Sequence, residues 1–130
     1  MGIFGLFKGS EKGAVKEEKT IPWHLLTSLE QLQTIDEESK GKPVAIFKHS
    51  TRCGISRMVI NQFESSYDLT DDQLKLYFLD LLSFRDVSDE VGFKFQVMHQ
   101  SPQLIVIKNG AVVSHTSHHS IQASSLHQFI

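Results

Sequence analysis

Short apolar runs alternate along this chain with segments in which apolar residues recur at helical spacing. The densest run, Val44-Ala45-Ile46-Phe47, predicts a strand over 44–48 that is buried on both faces. After it, Ile55, Met58, Val59 and Phe63 fall at the spacing that lines one face, predicting a helix from Cys53 to about Ser66. Upstream, Trp23-His24-Leu25-Leu26 reads as a short first strand. Thr27 or Ser28 then caps a helix with Leu29, Leu32 and Ile35 inward and Glu30 in the capping-box place relative to Thr27. Gly41-Lys42-Pro43 stops that helix. Leu74-Lys75-Leu76-Tyr77-Phe78-Leu79 predicts the next strand. A helix follows, with Ser83 as N-cap, Asp86 three residues on, Val87 and Val91 on one face, and Gly92 as its stop.

Residues 103–108 and 111–115 flank Asn109-Gly110, the dipeptide that supplies positive φ at both centres of a tight hairpin turn. Ser120 is expected to cap a last helix with Ile121, Leu126, Phe129 and Ile130 inward. The order β-α-β-α-β-α-β-β-α gives an α/β fold: a parallel core, an antiparallel edge, and helices on both faces of a mixed sheet.

Length and composition narrow this picture without changing it. A chain of 130 residues, 40% apolar and 22% charged, suffices for one globular domain with its own core. Residues 1–20 mix Gly, Lys and Glu and read as a flexible arm, leaving 21–130 as the domain. Within the arm, Ile3, Phe4, Leu6 and Phe7 form a patch too short to span a membrane and without a secretory cleavage pattern. Gly2 invites a lipidation reading, but Leu6 occupies the place where that motif needs Ser or Thr. Docking of Phe4 and Phe7 on a partner or membrane surface is the other reading of the patch. A net charge of −2 gives no argument for a nucleic-acid partner. With one cysteine, any disulfide must be intermolecular, and the expected location is the cytoplasm.

That cysteine carries the candidate chemistry. Cys53 falls where a strand ends and a helix begins, a place where backbone N–H groups and the helix dipole favour negative charge. A free thiol is only about 3% thiolate at neutral pH, and helix N-termini and nearby cations raise that fraction. Between Ser39 and Phe63 the sequence holds Lys40, Lys42, Lys48, Arg52 and Arg57 and no carboxylate. Arg52 and Arg57 are placed to stabilise a thiolate or an anionic thiol ligand, although Arg57 can also face solvent. A buried Cys53 that serves only as a small core residue is the plainer alternative. Ser56 stands three residues after Cys53, where dithiol oxidoreductases carry a resolving cysteine. A serine there can hydrogen-bond a thiolate but cannot resolve a mixed disulfide; it can equally be an ordinary first-turn serine. Ser101-Pro102 precedes the strand of the hairpin, where a missing N–H donor is tolerated.

With Phe47-Lys48-His49-Ser50-Thr51-Arg52-Cys53-Gly54-Ile55-Ser56, Ser101-Pro102-Gln103 and Lys108-Asn109-Gly110, the chain from Trp23 to Ile130 resembles the thioredoxin superfamily. It is more closely similar to the monothiol bacilliredoxins (the YtxJ family). The resemblance implies a thioredoxin-like fold with a cis proline at Pro102 facing the cysteine. It also implies a cytoplasmic protein that removes bacillithiol from S-bacillithiolated proteins. In that reading Cys53 attacks the bacillithiol sulfur, a second thiol releases it, and Ser101 and Pro102 hold the substrate backbone, with S-bacillithiolated proteins and a low-molecular-weight thiol as partners. Thr51, Arg52, Gly54, Ser56 and His49 would support the site. Bacillithiol is then a co-substrate, and no tightly bound cofactor is implied. The family commonly has proline directly after the cysteine, and this chain has Gly54, which loosens the turn.

Cys53-Gly54-Ile55-Ser56 also resembles the motif of monothiol glutaredoxins, which bind a bridging [2Fe–2S] cluster, so an iron–sulfur carrier is the leading alternative. A thioredoxin-like interaction module without activity is a third. His115, His118 and His119 lie close in sequence, but no cysteine or carboxylate completes a metal-site pattern, and they read as surface histidines. His49 and His99 each flank a segment assigned to the site. His49 can tune Cys53 or be a plain strand-edge residue.

Overall fold

The computed structural model describes residues 20–130, and the arm expected over 1–20 lies outside them apart from Thr20. Five strands form one sheet: β1 (Trp23–Leu25), β2 (Val44–His49), β3 (Lys75–Asp80), β4 (Gln103–Lys108) and β5 (Ala111–Ser117). Their order across the sheet is β1-β3-β2-β4-β5. β3 pairs parallel with both β1 and β2, while β4 runs antiparallel to β2 and to β5. Helices α1 (Glu30–Glu38), α2 (Gly54–Ser66) and α3 (Arg85–Phe95) connect them, and two 3-10 segments follow β5.

β2 occupies the centre of the sheet, and all six of its residues are buried. Strand alternation divides them between two cores. Ala45 and Phe47 join Val59, Ile60 and Phe63 of α2 and Leu126 of the C-terminal segment. Val44 and Ile46 join Leu32 and Ile35 of α1 and Val87, Val91 and Phe95 of α3. Each fully buried aliphatic side chain stabilises by about 1.5–3 kcal/mol. The sheet therefore has helices on both faces, as the alternating sequence implies.

Several local expectations are corrected. α1 carries no side-chain cap at Leu29. Instead Gln31 Oε1 accepts the Thr27 and Ser28 N–H groups at 2.7 and 3.0 Å, so the box acceptor is Gln31 rather than Glu30. Leu29 is exposed, and only Leu32 and Ile35 face the core. In α2 the buried face is Ser56, Val59, Ile60 and Phe63, whereas Ile55 and Met58 are exposed. Ser83 does not cap α3; its hydroxyl donates to Asp80 Oδ2 at 2.9 Å. Gly92 lies inside α3, and a Cβ there would stand 3.0 Å from Val97 O. The helix ends at Gln96, which takes up φ 55°. The last helix is a 3-10 segment, Ala123–Phe129, preceded by Gln122 rather than Ser120, and Ile130 is exposed.

The hairpin turn is as expected, with Asn109 at φ 53° and Gly110 at φ 77°. It also docks on the end of α1. Asn109 N donates to Ser39 O at 2.7 Å, and Gly110 N donates to Ser39 Oγ at 2.8 Å. A Cβ on Gly110 would stand 2.8 Å from Asp36 Oδ1. Gly110→Ala should therefore destabilise by at least about 1–2 kcal/mol from backbone conformation alone. Urea unfolding checks this; an unchanged midpoint would refute the docking.

Candidate functional site

β2 ends at His49, and the turn Ser50-Thr51-Arg52 delivers Cys53 to the start of α2. Cys53 is the N-cap of that 13-residue helix, in extended conformation (φ −106°, ψ 123°). Its carbonyl accepts Arg57 N at 3.1 Å, and its own N–H donates to Ser50 O at 3.2 Å. The first N–H groups of a helix have no intrahelical acceptors and favour an anion. Cys53 is half-buried at this position, and its side chain makes no cap hydrogen bond to those N–H groups. Thr51, Arg52 and Gly54 are exposed around it. Nothing lies within 4 Å of a Cβ built on Gly54, so the space a proline would fill is open.

Ser56 has a different role from the one its spacing suggests. It is fully buried. Its hydroxyl oxygen accepts Ser50 N–H at 3.1 Å and lies 3.0 Å from His49 Nδ1. Neither partner is Cys53. The serine in the resolving position braces the turn before the cysteine: His49 to Ser56, Ser56 to Ser50, and Ser50 back to Cys53. His49 itself is buried and packs on the Phe78 ring, with centroids 5.5 Å apart. Burial pushes its pKa down, the Asp80 carboxylate opposes this, and Arg57 adds to it. With neutral His49, the Ser56 hydroxyl donates to Nδ1 while accepting from Ser50.

The acid-free window of the sequence is not acid-free in space. Asp80 at the end of β3 pairs in register with His49. Its carboxylate accepts Leu82 N, Ser83 N and the Ser83 hydroxyl, which commits it to its own turn.

β4 starts beside the end of β2, with Lys48 opposite Gln103. That register brings Ser101 and Pro102 to the same end of the sheet as Cys53. The Ser101–Pro102 peptide is cis. Pro102 is buried, and its carbonyl accepts His118 N at 3.1 Å. Ser101 Oγ is buried with no hydrogen-bond partner among the described residues.

Lys48 and His99 form a pair that spacing does not reveal. Lys48 is 0% exposed and its Nζ lies 2.7 Å from His99 Nδ1. Burial pushes the lysine down to about 8, with Asp89 opposing. The signal available in the sequence was the alternation Val44, Ile46, Lys48, which places a lysine on an inward face. Among the described residues no group of three or more His, Cys, Asp or Glu could hold a metal ion. His115, His118 and His119 are exposed.

Residues 24–126 match the family model described as "Monothiol bacilliredoxin BrxC". One similar solved structure, described as having a thioredoxin fold, is 34% identical with a TM-score of 0.69, covering 82% of this chain and 92% of that one. Thioredoxin of Malassezia sympodialis is 21% identical with a TM-score of 0.62, covering 87% and 94%. Fasciola hepatica thioredoxin is 19% identical with a TM-score of 0.58, covering 81% and 93%. The last two establish likeness of fold alone.

The buried histidine makes stability depend on pH. A group whose pKa is lowered by folding binds fewer protons in the native state, so stability is lost as pH falls from the ordinary histidine value of about 6.5 through the lowered one. Unfolding free energy should therefore decline as pH falls below about 6.5, and His49→Gln should make that decline shallower. Chemical denaturation across this range checks it; an identical slope in the variant would contradict it.

Proposed function

Because the chain belongs to the monothiol bacilliredoxin BrxC family, we propose that it removes bacillithiol from S-bacillithiolated proteins by thiol–disulfide exchange at Cys53. The observation that carries this reading is the placement of the chain's only cysteine at the N-cap of α2, at the end of the sheet where Ser101 and Pro102 also lie.

The Cys53 thiolate attacks the bacillithiol sulfur of the mixed disulfide. A new S–S bond forms between Cys53 and bacillithiol as the old one breaks. The substrate protein leaves as a thiolate and takes a proton from solvent. No net oxidation or reduction accompanies this transfer. A second low-molecular-weight thiol then attacks the bacillithiol sulfur, frees Cys53 and leaves as the mixed disulfide with bacillithiol.

Charge and shape support this sequence of steps. Cys53 stands at the N-terminus of α2, a position whose dipole favours negative charge. Exposed Arg52 and Arg57 offer cations to a thiol ligand that carries negative charge. Ser101 and Pro102 lead into β4 beside the end of β2, at the end of the sheet where the substrate backbone would lie. Ser56 cannot resolve the intermediate, since it has no thiol and its hydroxyl is engaged with His49 and Ser50. An external thiol is therefore needed, as a reducing cytoplasm supplies.

Cys53→Ser should abolish release of bacillithiol from a bacillithiolated model protein, followed by mass spectrometry of that substrate. Ser56→Ala should slow release without abolishing it. Release by the Cys53 variant at the wild-type rate would sink the proposal.

A further inference from the structure

We infer that Lys48 is a positioning residue for this exchange: through His99 it holds the loop that leads into Ser101 and Pro102 against the end of β2, and protonation of His99 releases that loop. The inference rests on the proposed function only where it concerns substrate affinity.

The loop is tied at its two sides by side chains that have no other evident task. Gln103 is fully buried; its Nε2 donates to Met98 O at 3.0 Å, and its Oε1 accepts Gln100 N at 3.3 Å. Between those two backbone anchors stands His99, whose Nδ1 lies 2.7 Å from Lys48 Nζ. Lys48 is opposite Gln103 in the β2–β4 register, so both ties come from one rung of the sheet.

The chemistry of the pair fixes its protonation. An ammonium has only donors, so the His99 Nδ1 facing it must accept. His99 is then neutral, with its proton on Nε2. A proton arriving on Nδ1 would remove the acceptor and set two cations against each other. Lys48, 0% exposed, cannot turn to water, whereas His99 is exposed and can. Acid therefore moves the histidine and the loop that carries it.

The charged groups facing the pair both come from α3. Asp89 favours the cationic form of each partner, and Arg85 disfavours it at His99. The flanking sheet positions, Leu79 and Gln103, carry no charge. Burial and Lys48 together push His99 below its ordinary value, so the tie is closed at neutral pH. It opens as pH falls through the lowered value. Above about 8, where Lys48 loses its proton, the neutral amine still has N–H groups to donate, and the tie stays closed.

The test combines a structural readout with a kinetic one. Nitrogen NMR of labelled wild-type protein at pH 7.5 should show His99 with an unprotonated, hydrogen-bonded Nδ1 and a protonated Nε2. Amide exchange at Gln100, whose N–H donates to Gln103 Oε1, corrected for intrinsic rates, should be slow at that pH and accelerate about 10-fold or more once His99 is protonated. His99→Gln keeps an acceptor for Lys48 and does not titrate. It should retain slow exchange and near wild-type KM for the bacillithiolated model protein, and it should lose the acid rise in KM.

His99→Leu and Lys48→Met should raise KM about 10-fold or more, the factor expected from losing a charge-assisted hydrogen bond, with kcat far less affected. Wild-type exchange and KM in His99→Leu, or an acid rise in KM that persists in His99→Gln, would overturn the inference. The two exposed-site variants decide the matter even if Lys48→Met does not fold. If wild-type protein released no bacillithiol, the proposed function would fail, while the NMR and exchange data would still decide the tie.

Discussion

The fold depends on one strand being buried along its whole length. β2 lies between β3 and β4 with every side chain inside, so its backbone direction and register are fixed from both sides and both faces. Everything chemical hangs from its end. Phe47 and His49 point toward α2, and Ile46 and Lys48 toward α1 and α3. The turn that follows must therefore leave from a fixed place, and it leaves Cys53 at the first backbone donors of a 13-residue helix. A one-residue slip in β2 would exchange the two faces, sending Lys48 into the aromatic core around Phe63 and Trp23.

The end of this strand carries two hydrogen-bond systems, one on each face. On the α2 side, His49 and Ser56 brace the turn that presents the thiol. On the α3 side, Lys48 and His99, with Gln103, brace the loop that leads to Ser101 and Pro102. Each is polar and largely buried, which costs free energy unless the partners are satisfied. Their return is positional. A single-thiol exchange site has no second cysteine to capture its own intermediate, so the placement of the incoming disulfide rests on such bracing.

Much of this was legible in the sequence wherever local chemistry decides structure. Asn109-Gly110 specified its turn because few residues tolerate two successive positive φ values. Val44 to Phe47 specified a doubly buried strand, and the change from that run to helical spacing located Cys53. What the sequence did not disclose was which side of each helix meets the sheet. Met58 and Ile55 are apolar yet exposed, because α2 turns Ser56 inward to bind His49. Gln31 displaced Glu30 in the cap because it reaches the backbone of both Thr27 and Ser28. The C-terminal segment tightened into a 3-10 form, and Asp80 came beside His49 through strand pairing alone. Lys48 and His99 are separated by 51 positions, and only the closure of β4 onto β2 makes them a pair.

The central proposal is that Cys53 is a one-thiol exchange site that accepts bacillithiol. Its most direct test is the intact mass of the protein after separate exposure to oxidised bacillithiol, oxidised glutathione and oxidised coenzyme A. One bacillithiol adduct on Cys53, formed faster than the adduct of either other thiol, is the predicted result. An unreacted Cys53 with oxidised bacillithiol, or an anaerobic sample whose brown colour disappears in Cys53→Ser, would contradict it.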